Sequence, residues 1–125
     1  MEIKESAENY LEGILMLKQQ KGMVRSIDIA HHMNFTKASV SVAMKNLRQD
    51  GYITMEDGEI ELTEKGMEIA EQIYERHHLI AQALMALGVS RETAYADSCK
   101  IEHDISPESF ACLKAHLHAH LRKPE

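Results

Sequence analysis

Cys99-Lys100-Ile101-Glu102-His103 carries a thiol, a carboxylate and an imidazole within one short stretch. Positions i, i+3 and i+4 of a helix share one face, so these three side chains can converge on a single cation. Thiolate with imidazole suits iron, zinc, cobalt or nickel better than magnesium or calcium, and the carboxylate keeps iron(II) and manganese(II) within range. Taken singly, a helical Cys is more often a small buried apolar residue, and a Glu-His pair more often lies on the surface. Further donors stand elsewhere. Glu8, Asn9 and Glu12 cluster where core packing asks for nothing polar, and His77-His78 falls beside an apolar stripe. A site fed from both regions would bridge two parts of the chain and act as a switch.

The elements that must position these donors read as mainly helical. Tyr10, Leu11, Ile14, Leu15 and Leu17 recur at helical spacing over residues 6–20, with Ser6 as a cap and Gly22 beyond the end. A short second helix follows Ser26, with Ile27, Ala30 and His31 on one face, and Asn34-Phe35 interrupts it. Thr36 opens a third, in which Val40, Ala43, Met44 and Leu47 recur before Asp50-Gly51. The period then drops to two. Residues 52–55 and 59–62 alternate around Asp57-Gly58, the mark of a tight hairpin, and a hairpin after a helix-turn-helix reads as a wing. Thr63 caps a long helix to about Leu87, with Met67, Ala70, Ile73, Leu79 or Ile80, Ala83, Leu84 and Leu87 as its stripe. Gly88 ends it. A helix from Ser90 to about Asp104 and another from Ser106-Pro107 to about Leu121 complete the chain. The expected fold is a winged helix-turn-helix domain over residues 1–63, followed by a helical metal-binding and dimerisation domain over 64–125.

The chain has 125 residues, two cysteines and a net charge of −6. That length allows one sizeable core or two small modules. With no secretion-type segment and no apolar run of ~20 residues, the expected location is the cytoplasm, with no membrane association and no disulfide framework. An acidic protein binds DNA only where positive charge is concentrated. Here residues 34–49 hold Lys37, Lys45 and Arg48 and no acidic side chain. Thr36, Lys37, Ala38, Ser39, Ser41, Val42 and Lys45 occupy the stretch that would meet base edges and phosphates in the major groove. Small hydroxyls and methyls suit phosphates and thymine, whereas the first two turns offer no bidentate reader. Specificity would then lean on DNA shape and on a homodimer reading two half-sites.

These stretches closely resemble the metal-dependent repressors typified by the diphtheria toxin repressor and the manganese transport regulators. The resemblance rests on Glu8-Asn9-Tyr10-Leu11-Glu12, Asp50-Gly51-Tyr52, Leu62-Thr63-Glu64-Lys65-Gly66, Arg76-His77-His78-Leu79 and Cys99 through Ser106. It implies metal ligands at Asn9, Glu12, His77, Cys99, Glu102 and His103, a palindromic operator on double-stranded DNA, and repression of metal-uptake genes. Iron-responsive members have Cys at position 99 and Met at position 9; manganese-responsive members have a carboxylate at both. Cys99 follows the iron pattern, Glu12 resembles the manganese branch, and Asn9 follows neither. The expected metal is therefore iron(II), with manganese(II) next and zinc(II) as a competitor in vitro.

An ancillary family site would need a Glu at the position of Ala81, and the SH3-like domain of longer members has no counterpart in this sequence. His78 finds no role in the resemblance. Cys112, His116 and His120, four residues apart, would form one helical stripe, read either as an extra metal or haem site or as a solvated helix end. Three rivals differ in what they predict. A metal-independent winged-helix regulator would ignore chelators, and a sensor acting through protein partners would not bind DNA. An enzyme is disfavoured, for there is neither a Gly-rich phosphate loop nor a His-Glu-x-x-His pair.

Overall fold

A computed structural model describes residues 5–121, the side chains of His120 and Leu121 excepted. The described residues form helices α1 (Glu5–Lys21), α2 (Ser26–Met33) and α3 (Lys37–Gln49), strands β1 (Ile53–Glu56) and β2 (Glu59–Leu62), and helices α4 (Glu64–Ala86), α5 (Arg91–Ile101) and α6 (Pro107–Leu121). The chain divides into two compact units, Met1–Gln72 and Ile73–Glu125, with the division falling inside α4.

The first unit is built on residues that alternate with the period of their element. Tyr10, Leu11, Ile14, Leu15 and Leu17 of α1 are buried, as the spacing predicts, while Ser6 lies inside the helix rather than capping it. In α2 the buried pair is Ile29 and Ala30; Ile27 and His31 are exposed, so the inward face is rotated from the expected one. The helix starts one residue earlier than its expected cap allows. Its N-cap is Arg25, whose amide donates to the Asp28 carboxylate at 2.9 Å. Asn34, at φ 58°, turns the chain through the left-handed region, which a short polar side chain tolerates, and its amide satisfies carbonyls at the end of α2. Thr36 then caps α3, its hydroxyl accepting from the Ser39 amide at 3.1 Å. Val40, Met44 and Leu47 are the buried stripe of α3.

The hairpin pairs Ile53 with Leu62, Thr54 with Glu61, Met55 with Ile60 and Glu56 with Glu59. Asp57 (φ 52°) and Gly58 (φ 81°) form the two-residue connection with both residues left-handed, the geometry whose twist matches paired strands. Beyond β2, the Ile60 amide donates to the Val24 carbonyl at 2.8 Å, and Arg25 Nη1 donates to the Asp57 carbonyl at 2.9 Å. The wing is thereby fastened to the segment between α1 and α2. Lys18 of α1 adds an ion pair to Glu61 and holds that carboxyl below its ordinary range.

A second lock fastens the start of α4. The Thr63 hydroxyl donates to the Gly51 carbonyl at 2.7 Å and accepts from the Gly66 amide at 3.1 Å, while the Thr63 amide donates to the Tyr52 carbonyl. Gly66 lies so close that a Cβ there would stand 2.0 Å from the Tyr52 carbonyl oxygen. Lys65 reaches the Asp50 carbonyl and lies 4.4 Å from the Tyr52 ring centroid. These contacts give a physical role to both sequence motifs flanking the wing.

In the second unit, Leu79, Phe110 and Leu117 make the core, with Ala83, Ile105 and Leu113 packed on it. Leu87, expected in the α4 stripe, lies just past the helix and is 82% exposed. Ser90 caps α5 by accepting from the Thr93 amide. That helix ends at Ile101, earlier than its sequence suggests.

Candidate metal centre and nucleic-acid interface

Within the second unit, α4 and the end of α5 bring four of the expected donors together. The buried line of α5 is Ala94 and Ser98, two small residues one turn apart, and the next position on that line is Glu102. Small side chains permit close approach, so Glu102 is carried inward. Its side chain is fully buried, at 0% exposure. His77 Nδ1 lies 2.9 Å from Glu102 Oε2, and His103 Nε2 lies 3.4 Å from Oε1. Cys99 Sγ is 3.4 Å from His77 Nδ1.

One expectation about this segment changes. Glu102 and His103 belong to the turn after α5 rather than to the helix itself, although Glu102 retains right-handed helical angles and its amide still bonds to Ser98. The three donors are therefore not equivalent positions on one face. Glu102 and His103 are buried side chains, whereas Cys99 is exposed and meets the others through His77.

The electrostatics favour a cation. A carboxylate removed from water needs compensating charge, and the partners of Glu102 are two imidazoles that supply it only when protonated. The Cys99 sulfur first, and the Glu102 carboxylate second, raise the His77 pKa to about 10 against the opposing effect of burial. A proton on His77, like a divalent ion, would offset the negative charge of the Glu102 carboxylate. Sulfur, nitrogen and carboxylate donors gathered around one buried negative charge fit a transition metal by their chemistry.

His78 finds its explanation in packing. Its Nδ1 stands 3.0 Å from the Tyr95 hydroxyl, and its ring lies against Tyr74 at 4.2 Å between centroids. Burial, then the neighbouring His77, lower its pKa. Tyr95 also flanks the His77 ring at 5.3 Å. Sequence reasoning missed the pair because a Tyr seventeen positions away has no periodic relation to a His on another helix.

Asn9 and Glu12 stand one turn apart on α1 of the first unit, Glu12 buried and Asn9 half-buried. In that unit, all seven positions expected to meet DNA, Thr36, Lys37, Ala38, Ser39, Ser41, Val42 and Lys45, are exposed. Val42 is 61% exposed, an apolar side chain with no place in the unit's core. A groove of about 300 Å³ runs beside it, lined by Ser26, Ser41, Val42, Met44, Lys45, Arg48 and Met55. Ser26, Met44, Arg48 and Met55 were not among the expected contacts; Arg48, counted in the sequence only towards the positive charge of the stretch, lies in the last turn of α3. Cys112 and His116 are exposed on α6, and the His120 side chain lies outside the described residues. No helix among the described residues is long and apolar enough to cross a membrane.

The family model described as the iron dependent repressor N-terminal DNA binding domain matches residues 2–58. That of the iron dependent repressor metal binding and dimerisation domain matches residues 63–125. The HTH-type transcriptional regulator MntR of Geobacillus kaustophilus is 37% identical over 102 residues, which cover 81% of this chain and 72% of that protein. An HTH-type transcriptional regulator of Methanocaldococcus jannaschii is 35% identical over 115 residues, covering 90% of this chain and 92% of the relative. Among solved structures, the manganese regulator SloR superposes with a TM-score of 0.79 at 25% identity, covering 90% of this chain. This chain spans about half of SloR's length, 53%. The winged helix-turn-helix, the buried donor cluster and these matches agree, and the chain belongs to the iron-dependent repressor family of metal-dependent, DNA-binding transcriptional regulators, which are not enzymes.

Proposed function

We propose that this protein is a cytoplasmic, homodimeric repressor of metal-uptake genes that binds a palindromic operator when iron(II) is plentiful. The observation that carries the reading is the buried Glu102 carboxylate between His77 and His103, with the Cys99 sulfur beside His77. His77, Cys99, Glu102 and His103 would hold the ion, and Asn9 and Glu12 of α1 would complete the set. A divalent cation, when bound, supplies positive charge and a fixed coordination geometry. Cys99 and His77 must give up protons to serve as donors, so metal affinity falls as pH falls. Because Asn9 and Glu12 belong to the DNA-reading module and the other four to the metal-binding module, a shared ligand set narrows the orientations available to the two recognition helices of a dimer. Half-sites one DNA turn apart, about 34 Å, then become readable together. Lys37, Lys45 and the hydroxyls of Thr36, Ser39 and Ser41 would contact phosphates and base edges, with Ala38 and Val42 against thymine methyls.

Manganese(II) is the second reading. It is favoured by Glu12, which resembles the manganese branch, and by the likeness to SloR, described as a manganese regulator. The Cys99 thiolate is the feature that favours iron. Metal-stripped protein is titrated anaerobically with iron(II), manganese(II) and zinc(II) against a duplex selected from a random pool, with Cys99→Ala and His103→Ala alongside. The reading expects a gain in DNA affinity of tenfold or more with iron(II) or manganese(II), abolished by both substitutions. Equal affinity with metal and with chelator overturns it, and the order of the metals separates iron from manganese.

A further inference from the structure

Two consecutive residues of α4 take hold of one and the same residue, and by different parts of it. His77 meets the Glu102 side chain, with Nδ1 at 2.9 Å from Oε2. Arg76 meets the Glu102 main chain, its Nη1 donating to the Glu102 carbonyl at 3.2 Å. The same nitrogen lies 3.5 Å from the Ile105 carbonyl at the far end of the turn. The guanidinium also lies 5.4 Å from the Phe110 ring of α6, within the unit's core.

We infer that Arg76 is a positioning residue of the metal centre, one that sets the reach of Glu102 and His103 and thereby the discrimination between metals. The inference rests on the proposed metal-binding role of this cluster. A helix leaves its last carbonyls without intrahelical partners, and the Glu102 carbonyl is one of these at the end of α5. A cation at a helix C-terminus is also favoured by the local dipole. Arg76 meets both demands. It fastens the turn to α4 at the point where α4 presents His77. The separation between His77 and the Glu102 carboxylate is then fixed from two sides, by a side-chain contact and by an anchored backbone. A turn free to shift would keep its donors but lose their convergence, and outer partners of metal ligands typically govern affinity by 10- to 100-fold.

The consequence differs between metals. Zinc(II) is satisfied by four ligands and takes nitrogen and sulfur donors readily, so it tolerates displacement of one carboxylate. Manganese(II), a hard ion of higher coordination number, needs more oxygen donors in register. Loosening the turn therefore weakens manganese(II) more than zinc(II). A general loss of stability would weaken both alike.

The test compares wild type, Arg76→Met and Arg76→Lys. Each is stripped of metal and titrated with manganese(II) and with zinc(II) in competition with a chelator of known affinity; circular dichroism and the melting temperature of the metal-free forms are recorded in parallel. Arg76→Met keeps helical content, loses 10- to 100-fold in manganese(II) affinity, and shifts the zinc-to-manganese affinity ratio by threefold or more towards zinc. Arg76→Lys retains charge and one donor without the planar fork, and falls between wild type and Met. Manganese(II) affinity within twofold of wild type in a folded Arg76→Met overturns the inference. So does an equal loss for both metals accompanied by a lower melting temperature. Should the Met variant fail to fold, the Lys variant decides on the same ratio. Wild type that binds neither metal overturns the metal-centre reading itself, a result distinct from those that refute Arg76 alone.

Discussion

Gly66→Ala sets two effects of opposite sign against each other at one position. In an exposed helix interior, replacing Gly by Ala stabilises by about 1 kcal/mol, because Gly loses more backbone freedom on folding. Gly66 is buried in the first turns of α4, and an added Cβ would stand 2.0 Å from the Tyr52 carbonyl oxygen and 3.0 Å from its carbon. The obstacle is backbone, which cannot rotate away as a flexible side chain would. Relief requires α4 to withdraw until that 2.0 Å separation exceeds 3.0 Å. The Thr63 amide bond to the same Tyr52 carbonyl, at 3.0 Å, stretches with it. One lost hydrogen bond costs about 1 kcal/mol and overpacking about 1–3 kcal/mol. Set against the helix gain, the net is a destabilisation of about 1–3 kcal/mol, or roughly 3–10 °C in melting temperature. Urea unfolding of the metal-free protein, followed by circular dichroism, measures it. Gly22→Ala is the comparison, since at φ 83° its added Cβ meets nothing within 4 Å and only backbone strain is incurred. A Gly66→Ala protein as stable as wild type, or more so, would refute the reasoning, for helix propensity would then outweigh the contact.

Cys99→Asp exchanges a soft donor for a hard one and is expected to move the metal preference towards manganese(II) and away from zinc(II), read by chelator competition; an unchanged order removes Cys99 from the ligand set. Tyr95→Phe deprives His78 Nδ1 of its 3.0 Å partner and should destabilise the metal-free protein by about 1 kcal/mol, measured by urea unfolding; an unchanged midpoint would show that the contact adds nothing to stability. Asp28 has its pKa lowered, first by the Lys21 ammonium and then by the Arg25 amide. A depressed folded-state value stabilises above the unfolded carboxylate pKa, near ~4, and that contribution disappears as pH falls through the lower folded value. Asp28→Asn should therefore flatten the acid limb of the urea midpoint between about pH 5 and 2, and an unaltered slope would count against the assignment.

Local signals were legible in the sequence wherever one element decides them. The α1 stripe, the helix starts at Thr36 and Ser90 and the Asp57-Gly58 turn each depend on neighbours a few positions away and appear as read, whereas the caps expected at Ser6 and Ser26 fall inside their helices. Periodicity failed in α2 because eight residues give barely two turns, too few to decide whether Ile27 or Ile29 joins Ala30 at the core. Leu87 continues the apolar period of α4, but the chain leaves the helix after Ala86 and the period has no meaning beyond it. In the metal segment the donors were legible as chemical types. The break after Ile101 was not, and the turn that follows it has its carbonyls met by Arg76 from another helix, a partner no local period reveals. His78 was opaque for the same reason, its partner being supplied by α5.

The wing's connection to Val24 bears on how the protein behaves in a crowded cell. A two-stranded ribbon has two open borders, each able to recruit a strand from a neighbouring molecule. On the β2 side, the Ile60 amide is already bonded to the Val24 carbonyl, so that border is partly closed from within. On the β1 side the border is four residues long and displays Thr54 and Glu56 to solvent. A run so short and polar makes a poor template for intermolecular pairing, and the hairpin can stay exposed without inviting fibrillar growth.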